Sequence, residues 1–196
     1  LSESVDTPAW SPNTTRISSL LASSTVPALR LGYARMMQDG EWVVGSEQTF
    51  LEIYDSHVES FPQAAWLKAD YLMSKIISGD VAYRKFSTEI MGLLQSAVDR
   101  GYFLAMDAMA SALNRGDIVT MDEIEATRLY QIQAQFGWPD SQVAFGRQLI
   151  AGFGIAANET VGWDWIELAA SQGYPYAYDM LFEKALEEAE FAESVL

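Results

Sequence analysis

The sequence predicts an all-α fold, a right-handed α/α superhelix (solenoid) of about four to five helix-turn-helix repeats. Glycine recurs at an interval of 36 residues, at Gly101, Gly137 and Gly173, and neighbouring small and apolar residues keep the same interval. Apolar residues lie at helical spacing in the stretches between these glycines. Self-similarity with a period of this length is typical of repeat proteins. We therefore expect two antiparallel helices of about 12–15 residues in each period.

Each position of the repeated unit has a physical role. Ala105, Ser141 and Ala177 follow the three glycines by four residues, and their small size lets neighbouring helices approach closely. A large apolar residue four positions later lies on the same helical face, because residues i and i+4 stack. Gly116 and Gly152 fall where the first helix of each pair should end, as a glycine at C′ does.

The chain before Gly101 predicts more divergent helix pairs. Pro62 suits the first turn of a helix, where its missing N–H is not needed, and Ser46 is a plausible helix start. The expected helices outside the clear repeats are 26–39, 46–60, 62–79, 86–100 and a final helix at 175–193.

The predicted domain organisation is simple. We expect an N-terminal extended or partly ordered segment at 1–24, because its beginning is polar and contains two prolines. A single solenoid domain at 25–196 follows and ends in an acidic C-terminal capping helix. Trp10 and Trp42 lie outside the repeat pattern and are candidate contact residues.

One family shares this spacing. The pattern A-x3-L-G-x2-Y-x2-G-x-G-V, followed by K-A-x2-W-Y-x-K-A-A-x2-G, is the Sel1-like repeat, and this chain resembles it. The fullest match is at Phe145, Gly146, Leu149, Gly152, Gly154, Ile155, Trp165, Ala169, Ala170 and Gly173. Asn158 departs from the usual Asp, and Gly162 replaces a helical Ala. The resemblance implies a bacterial protein with a tetratricopeptide-like solenoid, periplasmic or envelope-associated, with the cytoplasm as the alternative.

Composition argues against several classes of function. The net charge of −15 disfavours binding to nucleic acid, whose phosphates would be repelled. No apolar run has the length of a membrane span, so no direct membrane insertion is expected. The absence of cysteine excludes disulfides and thiolate zinc sites. The acidic surface is compatible with a partner that has a basic surface.

Catalytic signals are sparse. His57 is the only histidine and is expected to be an ordinary helix residue, so no metal site, cofactor or catalytic residue is predicted. Asp164 and Glu167 lie three residues apart and keep open one alternative, a hydrolase of cell-wall or surface polysaccharide. A cleft with two carboxylates facing each other would favour that alternative.

The sequence predicts a non-enzymatic scaffold or adaptor that binds another protein or peptide. Solenoids of this kind form a concave groove from the first helix of each pair. The groove should contain the positions on those helices that the repeat does not require. These candidate partner-binding residues are Tyr71, Lys75, Met106, Asp107, Asn114, Gln142, Arg147, Gln148 and Tyr178.

Overall fold

The computed structural model describes residues 12–40, 43 and 45–194, with side chains described from residue 16 to residue 193. These residues form ten α-helices and one 3₁₀-helix, and no strand occurs among them. The α-helices are α1 Pro12–Ala22, α2 Pro27–Asp39, α3 Glu47–Asp55, α4 Pro62–Ile77, α5 Ser87–Asp99, α6 Phe103–Arg115, α7 Glu123–Gln135, α8 Pro139–Ala151, α9 Glu159–Ser171 and α10 Pro175–Ser194; the 3₁₀-helix is Val81–Phe86. The predicted all-α fold is confirmed.

Consecutive helices pack as pairs, α2 with α3, α4 with α5, α6 with α7 and α8 with α9, and each pair packs on the next. The first helices of neighbouring pairs also contact one another, as α2 does with α4 and α4 with α6. We call the surface formed by α2, α4, α6 and α8 the first-helix face.

The turns within the two clearest repeats have the same structure. Asp122 accepts a hydrogen bond from the backbone N–H of Glu125 (3.0 Å), and Asn158 accepts one from Val161 (3.2 Å). Asn158 therefore caps α9 as Asp122 caps α7, because either side chain supplies the oxygen that a helix N-terminus requires. Gly116, with φ of 68°, ends α6 in the left-handed conformation that the sequence predicts for it.

Buried small and apolar residues from every pair fill the interior. Ala105 and Ala177 are fully buried, as their repeat positions predict. Buried polar side chains cross-link the middle helices. Gln133 donates to the carbonyl oxygen of Phe103 (3.1 Å), and the Ser141 hydroxyl donates to Gln133 (3.3 Å). Such groups are tolerated in a core because each has a hydrogen-bond partner.

Three local features differ from the sequence-based expectation. Residues 12–22, within the segment expected to be extended or partly ordered, form α1, which begins at Pro12 and packs on α2. Helix α3 ends at Asp55 rather than at residue 60, because the chain must leave the helical conformation before Pro62. Helix α10 leaves Phe182 and Leu186 exposed beside its acidic residues.

Trp10 and Trp42 lie outside the described residues. In the part of the chain that is described, no helix combines the length and the apolar character needed to cross a membrane.

Candidate functional site

Two neighbouring cavities open on the first-helix face. The α4–α6 cavity, of about 240 Å³, is lined by residues of α4 and α6, including Trp66 and Asp107. The α6–α8 cavity, of about 340 Å³, is lined by residues of α6, α7, α8 and the adjoining loops. Tyr130 projects from α7 into the second cavity, and Ser111 lines the first.

Tyr130 connects the two cavities electrostatically. Burial raises the pKa of Tyr130 to about 12, and the charge of Asp107 adds to that shift. Arg115, a hydrogen bond with Ser111 and Arg147 oppose the shift. The Tyr130 hydroxyl therefore experiences charged groups of both cavities, although the two cavities have no lining residue in common.

The α4–α6 cavity has apolar walls. Trp66 is half-buried and contacts Tyr102, with 5.6 Å between the ring centroids. Ile77 and Leu104 are 55% and 39% exposed, so apolar surface faces solvent at the mouth of the cavity. Exposed apolar surface concentrated in a depression is typical of an interaction site.

Most charges around this cavity are already paired. Arg35 of α2 donates to Asp70 of α4 at 2.9 Å. Arg115 donates to Asp117 at 2.8 Å. Asp107 is different, because it makes no ion pair or side-chain hydrogen bond within the described residues. Asp107 therefore places an uncompensated negative charge in the cavity.

The pKa of Asp107 is raised above its ordinary value. Although the side chain is solvent-exposed, the surrounding helices remove part of its water, and the carboxylate of Asp140 on α8 repels it. Arg115 offsets only part of this effect. Asp140 in turn accepts a hydrogen bond from the hydroxyl of Tyr174, which raises the pKa of Tyr174 to about 12.

The α6–α8 cavity combines an accessible cation with buried amides. Arg147 is exposed and makes no ion pair or hydrogen bond among the described side chains. Gln148 is 5% exposed and donates to the side-chain oxygen of Asn114 at 2.6 Å, while its own Oε1 has no hydrogen-bond partner. Met121 and Phe153 add exposed apolar surface at the rim.

Solved structures with this architecture are Sel1 repeat proteins. A Sel1 repeat protein from Oxalobacter formigenes matches with a TM-score of 0.65 at 19% sequence identity, over 84% of this chain and 74% of that chain. The chain has the Sel1-like repeat fold.

Two further Sel1-like structures match at lower TM-scores. Cysteine-rich protein B of Helicobacter pylori has 16% identity and a TM-score of 0.49, over 66% of this chain and 96% of that one. A protective antigen of uropathogenic Escherichia coli with an SLR fold has 16% identity and a TM-score of 0.41, over 89% and 46%. The sequence matches no protein-family model and no curated protein.

The Sel1-like arrangement brings four of the nine candidate groove residues to the cavities. Asp107 lines the α4–α6 cavity, and Asn114, Arg147 and Gln148 line the α6–α8 cavity. The others do not line either cavity; they are Tyr71, Lys75, Met106, Gln142 and Tyr178.

Tyr71 is a core residue, so its expected exposure on the groove is wrong. It is 7% exposed and meets the edge of Phe50 of α3, with 4.9 Å between ring centroids. The ammonium group of Lys75 lies 5.4 Å from the Tyr71 ring and 5.8 Å from that of Tyr83. Both residues therefore face the second helix of the previous pair and the 3₁₀-helix, away from the cavities.

Gln142 is also buried, at 1% exposure, and its expected exposure is wrong. It donates to the carbonyl oxygen of Ala134 (3.3 Å) and accepts from Gln172 (2.7 Å), so it links α7 to the end of α9. Met106 is half-buried on α6, and Tyr178 is 53% exposed on α10.

Several residues of the site were not identified from the sequence. They are Trp66, Asp70, Leu104, Ser111, Tyr130 and Asp140. Some of them could have been found by counting positions from the first residue of each first helix. Arg35, Asp70, Ser111 and Arg147 are each the ninth residue of a first helix. Aligning the helices from their first residues, rather than from the preceding glycines, places these polar side chains in one row.

The carboxylate pair of the alternative hydrolase reading does not form a cleft. Asp164 and Glu167 are both exposed on α9, a second helix, and neither lines the two cavities. Within the described residues, no group of three or more His, Cys, Asp or Glu side chains could hold a metal ion.

Proposed function

We propose that the protein is a non-enzymatic scaffold or adaptor that binds an extended segment of another protein along the first-helix face. The observation that carries this proposal is the pair of cavities, one lined by α4 and α6 and the other by α6, α7 and α8, in which accessible polar groups lie beside exposed apolar side chains. Protein partners supply both kinds of surface, and repeat solenoids offer them an extended one.

The apolar part of the site supplies contact area. Ile77 and Leu104 lie at one cavity, and Met121 and Phe153 at the other, each at least 39% exposed. Burial of such side chains by a partner is favourable at about 25 cal/mol per Å² of apolar surface. A segment long enough to cover both cavities would bury all four residues together.

The charged part favours a basic partner. Asp107 and Asp140 repel each other on this face, and the chain as a whole has a net charge of −15. A cationic segment would relieve that repulsion and would be attracted at long range. Nucleic acid would be repelled by the same charges.

The cellular setting that we propose is bacterial, in an envelope, secretion or signalling assembly, with the periplasm preferred to the cytoplasm. Support comes from the Sel1-like fold and from the bacterial source of the solved structure with a TM-score of 0.65. Localisation in both compartments can be compared by fractionation of cells that produce the full-length protein.

A selection experiment tests the proposed function. A phage library of random peptides is selected on the immobilised protein, and enriched peptides are then measured against two face variants, Leu104→Ser at the α4–α6 cavity and Phe153→Ser at the α6–α8 cavity. The matched control is Glu167→Gln, an exposed position on α9. We expect enriched peptides to carry a positive charge and to lose about ten-fold in affinity for the two face variants only.

Two results contradict the proposal. One is the absence of any enriched peptide; the other is enrichment of peptides that bind both face variants as well as they bind the wild-type protein. The second result would place peptide binding elsewhere on the chain.

A further inference from the structure

The ionic groups at the α4–α6 cavity do not balance. Arg115 forms an ion pair with Asp117 at 2.8 Å, and Arg35 is shared between Asp70 and Asp39, at 2.9 and 3.1 Å. What remains is the carboxylate of Asp107, with that of Asp140 on the neighbouring first helix. Asp140 receives only a neutral partner, the hydroxyl of Tyr174. The cavity therefore has unneutralised negative charge that a ligand can reach, since Asp107 is exposed.

The walls of the same cavity are apolar and aromatic. Trp66, Met73 and Ile77 of α4 lie opposite Leu104 and Ala108 of α6. A lysine or arginine side chain has the matching composition, because a hydrocarbon stem carries its terminal charge. The stem can lie along Leu104, and the Trp66 ring and the Asp107 carboxylate can attract the cationic end.

Other ligand classes match the cavity less well. An anion would be repelled by Asp107 inside the cavity and by Asp140 nearby. A metal ion would need additional ligands, but the carboxylate of Asp70 is already bound by Arg35. A purely apolar side chain would remove more water from Asp107 without neutralising it, which is costly for a charged group.

We propose that the α4–α6 cavity receives a single lysine or arginine side chain from the bound segment, with its stem against Trp66 and Leu104 and its charge at Asp107. This inference rests on the proposed function and assigns one position of the partner. It also divides the site, because the α6–α8 cavity contains Arg147 and would not favour a second basic side chain.

The test uses two short blocked peptides and the whole protein. One peptide is acetyl-Gly-Gly-Lys-Gly-Gly-amide, and the other replaces lysine with norleucine, which keeps the stem and lacks the ammonium group. Chemical-shift changes are followed by two-dimensional NMR, with the Trp66 indole N–H as a reporter inside the cavity. We expect the lysine peptide to shift residues around Asp107 with an affinity about three- to five-fold higher than that of the norleucine peptide.

Asp107→Asn supplies the matched variant, because it removes the charge at an exposed position and keeps the shape. Asp164→Asn, exposed on α9, is the control for a general loss of negative charge. We expect the lysine preference to disappear in Asp107→Asn and to persist in Asp164→Asn. An arginine peptide measured in parallel shows which of the two basic side chains binds more tightly.

Equal binding of the two peptides to the wild-type protein would overturn the inference. So would an equal loss of the lysine preference in Asp107→Asn and Asp164→Asn, or chemical-shift changes confined to another surface. The same holds if no shift occurs at millimolar peptide concentration. None of these results removes the proposed function, which fails only if the library selection fails. Conversely, library peptides that bind the first-helix face without a required basic residue would sustain the function and reject the lysine site.

Discussion

Gly146 and Gly162 face each other where α8 crosses α9. A methyl group added to Gly146 would lie 2.6 Å from the carbonyl oxygen of Gly162, and one added to Gly162 would lie 2.7 Å from that of Gly146. Both distances are far inside van der Waals contact. The departure at Gly162, where Sel1-like repeats usually have alanine, thus has a physical reason in the close approach of two backbones.

Gly146→Ala and Gly162→Ala should each destabilise the protein. Alanine is favoured over glycine inside a helix by about 0.8–1.0 kcal/mol, but here its methyl group meets a backbone carbonyl that cannot move aside alone. We expect a net loss of about 1–3 kcal/mol in the free energy of unfolding, as in other overpacked cores. Urea denaturation followed by circular dichroism measures the change.

Gly92 provides the control for this substitution. It lies inside α5, is exposed, and an added methyl group would have no neighbour within 4 Å. Gly92→Ala should therefore stabilise the protein by up to about 1 kcal/mol. If all three variants were more stable than the wild-type protein, helix propensity rather than close packing would decide the outcome.

The sequence was sufficient to predict the fold because the signals that begin and end each helix recur in successive repeats. Gly116 and Gly152 end first helices, and Asp122 and Asn158 cap second helices, 36 residues apart. Each of these signals is local, so it can be recognised without knowledge of the tertiary structure. The helix α1 was not recognised from the sequence, because serine and threonine are weak helix formers and the helix depends on its packing against α2.

Tyr71→Ala should destabilise the protein strongly, contrary to its expected role as an exposed groove residue. The side chain is 7% exposed and packs against Phe50, and burial together with the hydrogen bond that its hydroxyl donates to Tyr83 raises its pKa above the ordinary value. Removing a buried aromatic ring typically costs about 3–5 kcal/mol. Tyr178→Ala, at a position 53% exposed on α10, is the control and should change stability by no more than about 0.5 kcal/mol. Equal effects in a thermal melt would contradict this assignment.

The candidate site was harder to predict than the fold, since exposure depends on contacts between helices. Tyr71 and Arg147 both fall at positions that the repeat leaves unspecified. The 3₁₀-helix Val81–Phe86 brings Tyr83 against Tyr71, with 6.3 Å between ring centroids, whereas no such element contacts Arg147. The inserted 3₁₀-helix therefore helps to bury Tyr71. The repeat pattern does not include this insertion, so it could not predict the burial.

The small residues of the first helices give a third test. Ala105→Leu and Ala177→Leu enlarge side chains that are fully buried, so each should lower the free energy of unfolding by about 1–3 kcal/mol. Ala185→Leu on the exposed side of α10 is the matched control and should have little effect. Chemical denaturation of the three variants measures the changes. If the two buried variants were as stable as the control, the helices would not pack where the repeat places them.

Asp107 gives the molecule a specific pH dependence. Its neighbours are Asp70 from α4, Arg115 from α6, Tyr130 from α7 and Asp140 from α8. Burial and the charge of Asp140 raise the pKa of Asp107 above its ordinary value, and Arg115 opposes part of that shift. Between the unfolded and folded pKa values, the folded chain therefore binds more protons than the unfolded chain. Stability from this group is present at low pH and is lost as pH rises through that interval.

Asp107→Asn should accordingly raise the free energy of unfolding at pH 7, because it removes a carboxylate that is partly desolvated and repelled by Asp140. At pH 3, below the ordinary aspartate pKa of 3.8, the wild-type carboxyl is mostly protonated in both states, so the advantage of the variant should shrink toward zero. Urea denaturation at both pH values measures the two differences, and Asp164→Asn on α9 controls for the change in net charge. A variant that is less stable than wild type at pH 7 would mean that Asp107 has a stabilising partner in the native protein. The cavity would then lack the uncompensated charge on which recognition of a basic side chain depends.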